Sequence, residues 1–321
     1  MEDISVLRYY QNTKKMDREL AFPISQSSLK NLLVHPNFYK FKKESKNREY
    51  KTAFSMGGAV DSMLISEEEF NKRYIVQDVK YPTGKGLIML NHMLNNLQGV
   101  YEEELAEAFK KASYAASTKY EAVKSKFETQ YTEILDVYRT GKIIITLEQH
   151  TKILAIVYSF KTSKFTKGYF DNKKYTIIDQ LRIEFTFHGK LCVGILDRVL
   201  IDKKSKTIRV IDWKTSAGNF EHSISKFGYD FQGAFYHLAI RAWADANKLS
   251  KYILLPYQLI VESTKYPGTP LVYELTGEKI MKNIKKIENT INDLMWHLDN
   301  NKWDYTKEVY ENNGIITIDD V

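Results

Sequence analysis

The sequence predicts a mixed α/β protein in which a central mixed β-sheet is flanked by helices. Residues 24–160 place apolar side chains three and four positions apart, the spacing of helices that bury one face. Residues 175–213 instead alternate apolar and polar side chains and are rich in β-branched residues, which is typical of consecutive strands. A helix, a strand and a last helix follow, and this order suits a mixed sheet with helices on its faces.

The first half of the chain is predicted to be helical. The stretch PISQSSLKNLLVHP is predicted to form a short helix, with Ser25 or Ser27 as its N-cap and Pro36 closing it. The next helix, FSMGGAVDSMLIS at residues 54–66, begins with small residues that permit close approach to the sheet. Further helical patterns lie within residues 87–128 and at residues 147–160.

The second half contains the strands. Turns at residues 188–190 and 203–206 divide residues 175–213 into three or four strands. The remaining predicted elements are a helix at about 225–247, a strand at 252–263, a hairpin through KYPGTPLVYEL and a long amphipathic helix at 277–301. We divide the chain into a helical N-terminal region, residues 1–145, packed on a core of residues 146–321, and expect one compact unit.

Composition excludes several classes of protein. The 321 residues are 43% hydrophobic, enough for one large domain or two small ones. No run of about 18 apolar residues exists, so neither a transmembrane helix nor a membrane partner is expected, and the N-terminal stretch lacks the apolar core of a signal peptide. A single cysteine, Cys192, excludes disulfide frameworks, zinc ribbons and cysteine-held iron–sulfur clusters within one chain. A cytoplasmic location is therefore expected.

The charge balance favours a polyanionic partner. A net charge of +7 makes nucleic acid a candidate. Lysine supplies 38 of the 47 basic residues. This excess either reflects codon bias or suits sequence-blind contact with phosphates rather than bidentate reading of bases.

The strand-like stretch VIDWKTS, residues 210–216, carries two opposite charges on one face. Because strand side chains alternate with period two, Asp212 and Lys214 point the same way, while Trp213 points the other way and is predicted to lie in the core. Asp-x-Lys occurs four times in the chain, but only this copy ends a convincing buried strand. Alone, it is either an ion pair at a strand end or half of a catalytic site.

A second carboxylate lies in the preceding strand, VGILDRVLI. Alternation puts Asp197 on one face with Val193, Ile195, Val199 and Ile201, and a buried unpaired aspartate costs several kcal/mol. It therefore needs a metal ion or a lysine nearby. The aspartate of VIDWKTS lies 15 residues later across a predicted hairpin, so the two carboxylates can converge into an oxygen-rich site for Mg²⁺. The alternative is a structural Asp–Lys pair, with Asp197 capping a turn.

The helix predicted after these strands contains FQGAFYHLAIRAW. Gln232 and Tyr236 lie four positions apart, on one helical face. The pair can hydrogen-bond a phosphate or orient the lysine. Alternatively, this is a partly exposed helix face whose aromatic residue packs on the sheet.

Together these residues resemble a known superfamily. Asp197, Asp212-x-Lys214 and Gln232-x-x-x-Tyr236, in this order, look like the motifs of the PD-(D/E)XK nucleases, and in particular of their RecB-like branch. The segments ISQSSLKNLLVHPNFYK and MGGAVDSMLI are similar to the N-terminal part of the exodeoxyribonuclease VIII group of phages and prophages. The resemblance spans most of the chain and implies a restriction-endonuclease-like core.

The resemblance also implies roles for individual residues. This sequence departs from the exodeoxyribonuclease VIII group at Asp61, where the group usually has a metal-binding histidine. Glu184 matches an upstream acid of the family. Mg²⁺, with Mn²⁺ as a substitute, is expected to bind Asp61, Asp197, Asp212 and the backbone carbonyl of Trp213. The catalytic residues implied are Glu184, Asp197, Asp212 and Lys214, with Lys214 beside the attacking water. Gln232 and Tyr236 are expected to position the DNA strand.

The expected function is a Mg²⁺-dependent DNA exonuclease that acts without sequence preference in phage-type recombination or DNA processing. The alternatives are a catalytically inactive DNA-binding or assembly protein on the same fold, and a sequence-tolerant endonuclease. The stretch TGKG, residues 83–86, lacks the spacing of a phosphate loop and no motor motif is visible, so no ATP requirement is expected. The resemblance allows a single-strand annealing protein as a partner and a homo-oligomeric assembly.

Overall fold

The computed structural model describes residues 23–44 and 55–315. The prediction made for the N-terminal stretch, and the first residue of the helix predicted at 54–66, lie outside these residues. The helices are α1 (Gln26–Val34), α2 (Pro36–Glu44), α3 (Met56–Ile65), α4 (Glu67–Arg73), α5 (Gly84–Asn95), α6 (Tyr101–Lys111), α7 (Tyr120–Arg139), α8 (Leu147–Thr162), α9 (Glu221–Lys226), α10 (Tyr229–Ala246), α11 (Gly277–Asn300) and α12 (Lys307–Glu311). Within this part of the chain, no helix has the length and apolar character needed to span a membrane.

The strands form a mixed seven-stranded sheet and a separate two-stranded one. They are β1 (Ile24–Ser25), β2 (Tyr74–Val76), β3 (Ile143–Ile145), β4 (Thr176–Phe187), β5 (Lys190–Asp202), β6 (Thr207–Ser216), β7 (Ile253–Leu254), β8 (Gln258–Ser263) and β9 (Leu271–Glu274). β5 is antiparallel to β4 and β6, β6 is parallel to β7 and β8, and β8 is antiparallel to β9. β1 runs parallel to the start of β5, and β2 and β3 form the small sheet. The predicted fold class, a central mixed sheet flanked by helices, is confirmed.

Most elements follow their sequence signals. Ser25 caps α1 as predicted, in a capping box that it forms with Ser28. His188 and Gly189 make the tight turn between β4 and β5, with φ of 48° and 72°. The strand predicted at residues 252–263 is wrong as a single element, because it is interrupted around Pro256, which has no N–H to donate to the sheet.

Helices cover both faces of the large sheet. On one face α10 and α11 bury Phe235 and Ile287 against Val199 and Val210. On the opposite face α3 and α8 contribute to a second cluster around Trp213. Helices α5, α6 and α7 form a third cluster together with Ile144 of β3. The division of the chain into residues 1–145 and 146–321 stays a prediction.

Strands β4 and β5 change faces in mid-strand. Leu196 and Val199 lie in the same core, on the α10 side, although they are an odd number of residues apart. The change occurs at Asp197, which lies opposite Gln180, whose φ of 50° interrupts the extended backbone of β4. The alternating stripe predicted for β5 is therefore wrong in its first half, and Ile195 is 44% exposed. Such irregularities re-aim side chains, and this one turns Asp197 toward the α10 side.

Candidate active site

Asp212 and Lys214 lie on the face of β6 that α10 covers, as the alternation predicts. Asp212 is 1% exposed, and the ammonium of Lys214 contacts its Oδ2 atom. Gln232 Nε2 donates a hydrogen bond of 2.9 Å to Asp212 Oδ1. Trp213 points to the other face and stacks on Phe170, with 5.3 Å between the ring centroids. The prediction that its side chain lies in the core is confirmed.

Asp197 joins these residues where the pairing of β5 with β6 ends. The last pair of that ladder is Arg198 with Ile211, so Asp197 and Asp212 follow as the next two opposed residues. The backbone N–H of Trp213 donates to Asp197 Oδ2 at 3.4 Å. The end of the ladder therefore brings the two predicted carboxylates together.

Asp61 approaches the same place from α3. Gly57, one helical turn before it, brings the start of α3 close to the end of β6, since a Cβ added at Gly57 would lie 3.5 Å from Thr215 Oγ1. A Cβ added at Gly58 would lie 3.2 Å from the hydroxyl of Tyr74. The close approach predicted from the small residues is therefore present, and it places Asp61 within electrostatic reach of Lys214 and Asp212.

The three carboxylates of this cluster lie within electrostatic reach of the Lys214 ammonium. Burial, and then the negative charges of Asp212 and Asp61, raise the pKa of Asp197 well above its usual range. Burial raises the pKa of Asp61 to about 7, against the opposing effect of Lys214. Burial by itself would lower the pKa of Lys214, but Asp212 and Asp197 outweigh it and the pKa is raised. The cluster therefore has an excess of negative charge that one lysine does not neutralise.

The donor chemistry of the cluster fits a hard divalent cation. Among the described residues, the buried Asp212 Oδ2 accepts no hydrogen bond of ordinary geometry, and burial together with the neighbouring carboxylates raises the pKa values of Asp61 and Asp197. Carboxylate oxygens are the ligands that Mg²⁺ prefers. As they stand, however, no three His, Cys, Asp or Glu side chains among the described residues form a group that could hold a metal ion. The Lys214 ammonium contacts Asp212 Oδ2, the carboxylate oxygen that Gln232 does not bond.

The predicted Gln–Tyr pair lies inside the site. Gln232 and Tyr236 are each 7% exposed, so this helix face is buried rather than partly exposed, although the aromatic residue does pack on the sheet as the alternative expected. Gln232 contacts the carboxylate of Asp212 rather than Lys214. The ring of Tyr236 packs over Gly194, where an added Cβ would lie 3.4 Å from Cδ1 of that ring. Burial, and then the charges of Asp212 and Asp197, raise the pKa of Tyr236.

Two residues of the site were missed by the sequence reasoning. The ring of Tyr229 lies 5.2 Å from Lys214 Nζ and 5.8 Å from Lys30 Nζ, measured from its centroid. Burial, and then the charge of Lys214, lower the pKa of Lys30 to about 8. Tyr229 precedes Gln232 by three positions and so shares its helix face, a signal that was available. Lys30, on α1, carries no such signal.

Glu184 does not join the cluster. It is exposed on β4 and forms an ion pair of 2.6 Å with Arg182. Its partner across the ladder is Val193, four residues from Asp197, which corresponds to about 13 Å along the strand.

The fold and the comparisons agree on the class of protein. The mixed sheet flanked by helices is consistent with a restriction-endonuclease-like fold. The chain belongs to the family described as PDDEXK-like domain of unknown function (DUF3799), whose model matches residues 87–308. This match confirms the predicted membership of the PD-(D/E)XK superfamily, and that membership supports a nuclease activity. No curated protein matches the sequence.

Two solved structures resemble the chain weakly. A protein from Eubacterium rectale that is provisionally named an exonuclease aligns with 100% of this chain and 96% of its own, at 12% identity and a TM-score of 0.42. The protein SSO0001 aligns with 53% of this chain and 69% of its own, at 17% identity and a TM-score of 0.24.

Proposed function

We propose that this chain is a Mg²⁺-dependent deoxyribonuclease that hydrolyses phosphodiester bonds from DNA ends. The observation that carries the proposal is the buried contact between Asp212 and Lys214, with Asp197 opposite and Asp61 close by. Hydrolysis of a phosphodiester needs positive charge on the phosphoryl oxygens and an activated water. The family model, which is PDDEXK-like, supports the same class of reaction.

Each residue of the cluster has a proposed role. Asp61, Asp197 and Asp212, with the backbone carbonyl of Trp213, would hold the metal ion. When bound, Mg²⁺ would supply a Lewis acid for the scissile phosphate, and Mn²⁺ would substitute for it. The ammonium of Lys214 is placed to stabilise negative charge that develops on the phosphate during attack by water.

Helix α10, which carries Gln232 and Tyr236, packs against this cluster. The hydrogen bond of 2.9 Å from Gln232 to Asp212 Oδ1 supports a role in orienting that carboxylate. Tyr236 lines the same side of the site, and we retain for both residues the expected part in positioning the DNA strand. Glu184 is given no catalytic role, because it is paired with Arg182 at a distance from the cluster.

The biological setting is part of the proposal. The net charge of +7 and the excess of lysine support binding of DNA without sequence preference. The resemblance of the N-terminal segments to the exodeoxyribonuclease VIII group supports a role in phage-type recombination or DNA processing in the cytoplasm. A single-strand annealing protein and further copies of this chain are the partners that such a role allows.

Linear and circular DNA distinguish the modes of cleavage. Purified protein is incubated with each substrate in Mg²⁺, in Mn²⁺ and in chelator, without ATP. We expect digestion of the linear molecule alone, and only with metal. Nicking of circular DNA would instead establish a sequence-tolerant endonuclease.

One observation favours a catalytically inactive DNA-binding protein as the second candidate. Gln232 and Lys214 already contact the two oxygens of Asp212, which is also the arrangement of a purely structural ion pair. Binding of DNA without hydrolysis of either substrate in any metal would support this candidate.

A further inference from the structure

A basic cleft of about 1060 Å³ lies beside the candidate active site, between α1, the turn from α9 to α10, and α11. Its lining includes the carboxylates of Asp230 and Glu278. Lysines outnumber them, and these are Lys30, Lys226, Lys279, Lys282, Lys285 and Lys286. The cleft therefore has a strong excess of positive charge.

Among the described residues, four of these six lysines form no ion pair with a carboxylate, and one of the four, Lys30, is instead bonded to a backbone carbonyl. Lys279 pairs with Asp230 at 3.6 Å and Lys285 with Glu288 at 2.9 Å, while Lys30 donates to the carbonyl oxygen of Phe227 at 2.8 Å. Among the described residues no carboxylate forms an ion pair with Lys226, Lys282 or Lys286, each of which is exposed. Their charges are available to an anionic ligand.

The periodicity of α11 explains this arrangement. Its apolar face buries Ile280 and Ile287 in the core. Lys279, Lys282 and Lys286 recur three and four positions apart, so they form one row along the cleft. Seven residues of helix span about 10 Å, so the row can contact more than one phosphate of a bound strand.

The cleft leads to the candidate catalytic lysine. Lys30 lines the cleft and lies 5.8 Å from the ring centroid of Tyr229. Lys214 lies 5.2 Å from the same centroid. A ligand that contacts Lys30 at this end of the cleft is therefore separated from Lys214 by the ring of Tyr229.

An exposed aromatic ring completes the lining. Phe227 is 53% exposed, and Lys226 Nζ lies 5.8 Å from its ring centroid. Proteins that bind single-stranded nucleic acid combine a basic groove with aromatic rings on which bases stack. A duplex keeps its base faces inside the helix, so an exposed ring beside lysines favours an unpaired strand.

We propose that this cleft binds a single strand of DNA and leads it to Lys214, with phosphates on Lys226, Lys282 and Lys286 and one base on Phe227. The inference rests on the proposed function, because it names the path of the same substrate. The inference adds that the cleft prefers single-stranded to duplex DNA, and it names the residues responsible for this preference. Binding in the absence of metal separates the two claims, since hydrolysis is then not required for the readout.

The test compares charge removal inside and outside the cleft. Binding of a labelled oligothymidylate is followed by fluorescence anisotropy in chelator at several salt concentrations. The cleft variant is Lys282→Gln with Lys286→Gln, and the matched control is Lys203→Gln with Lys204→Gln in the exposed turn between β5 and β6. The full chain is used throughout, and its thermal unfolding is measured to confirm folding.

The cleft variant should bind about tenfold more weakly than wild type, and its salt slope should fall by about 1.4, or 0.7 for each lost phosphate contact. The control should bind as wild type does. Phe227→Ala should weaken binding of the single strand by at least about fivefold and leave duplex binding unchanged. Equal binding by cleft variant and control, or tighter binding of duplex than of single strand, would overturn the inference.

Hydrolysis with Mg²⁺ is then measured on the same proteins. Wild type that binds through the cleft but does not hydrolyse DNA contradicts the proposed function and leaves the cleft assignment standing. Wild type that hydrolyses DNA while the cleft variant binds normally contradicts the cleft assignment alone.

Discussion

Two Asp-x-Lys pairs with the same spacing occupy opposite environments in this protein. Asp212 is 1% exposed, and it contacts Lys214 beside further carboxylates. Asp202 is the last residue of β5, and its Oδ1 accepts the backbone N–H of Lys204 in the exposed turn that follows, at 2.9 Å. Since sequence spacing is the same and only the surroundings differ, the second pair is an internal control for the first.

Replacement of the lysine should reduce activity in the first pair and have no effect in the second. Lys214→Gln should lower the rate of Mg²⁺-dependent DNA hydrolysis by at least about 100-fold, because a preorganised positive charge is lost. The amide can still donate to Asp212, so the free energy of unfolding should change by under about 2 kcal/mol. Lys204→Gln should leave both quantities unchanged. A Lys214→Gln protein that retains activity but unfolds much more easily would identify a structural ion pair instead.

Asp61 is tested by metal dependence. Asp61→Ala should raise the Mg²⁺ concentration needed for half-maximal activity by about tenfold or more, because one anionic ligand is lost. The rise in Tm that Mg²⁺ produces should shrink in parallel, since less binding energy is linked to folding. In chelator at pH 8 the variant should be at least as stable as wild type, because burial and Asp212 disfavour the charged form of Asp61.

The control for this substitution is Glu67→Ala, at an exposed carboxylate on the adjoining helix. It should leave the Mg²⁺ dependence unchanged. Superimposed Mg²⁺ titrations of Asp61→Ala and wild type would remove Asp61 from the site.

Sequence reasoning located side chains whose direction follows from local periodicity. Asp212 and Lys214 were found because a strand alternates its faces, and Gln232 because a helix repeats every three to four residues. Lys30 could not be found in this way. It reaches Phe227 across 197 residues of sequence, and such a contact depends on how α1 packs rather than on any local pattern.

At the scale of elements, the packing of α10 against the sheet depends on a glycine. A Cβ added at Gly233 would lie 2.5 Å from Leu275 Cδ1 and 2.7 Å from Tyr257 Cδ1. Leu275 and Tyr257 are buried, so neither side chain can move away easily. Only a residue without a side chain allows this approach, which also sets the position of the neighbouring Gln232.

Gly233→Ala should therefore destabilise the protein by about 1–3 kcal/mol through overpacking. In an open helix the same change would stabilise by up to about 1 kcal/mol. Gly277→Ala, at the start of α11 where nothing lies within 4 Å of the added Cβ, provides that comparison. Chemical denaturation measures both variants. Stabilisation by Gly233→Ala would show that α10 can move away from the sheet without cost.

The sequence pattern did not predict the change of face in the middle of β4 and β5. Alternation assumes a regular extended backbone throughout a strand. Gln180 adopts a positive φ of 50° although glutamine has no preference for that conformation, so nothing in the sequence marks the irregularity. Its effect is local but important, because it directs Asp197 toward Asp212.

At the scale of the whole molecule, the order of elements was sufficient to predict the fold class. Three long strands joined by tight turns leave few arrangements besides an antiparallel meander, and β8 adds in parallel after the crossover through α10. The bounds of the basic cleft could not be predicted, because α1 and α11 lie more than 200 residues apart in the sequence.

The overall charge predicts how the protein meets its substrate. Affinity for several unrelated oligonucleotides should agree within about threefold at fixed salt and fall steeply as salt rises, because lysine contacts act by counterion release. Competition binding in chelator measures this without hydrolysis. Strong preference for one sequence would contradict the prediction and favour a site-specific endonuclease.

The central claim is that the carboxylate cluster around Asp212 hydrolyses DNA with a divalent metal. The most direct measurement is the rate of degradation of linear DNA by wild type, Asp212→Asn and Asp202→Asn, each in Mg²⁺ and in chelator. We expect degradation by wild type and Asp202→Asn in Mg²⁺, and none by Asp212→Asn or by any of the three in chelator. An Asp212→Asn protein that degrades DNA at the wild-type rate would contradict the account.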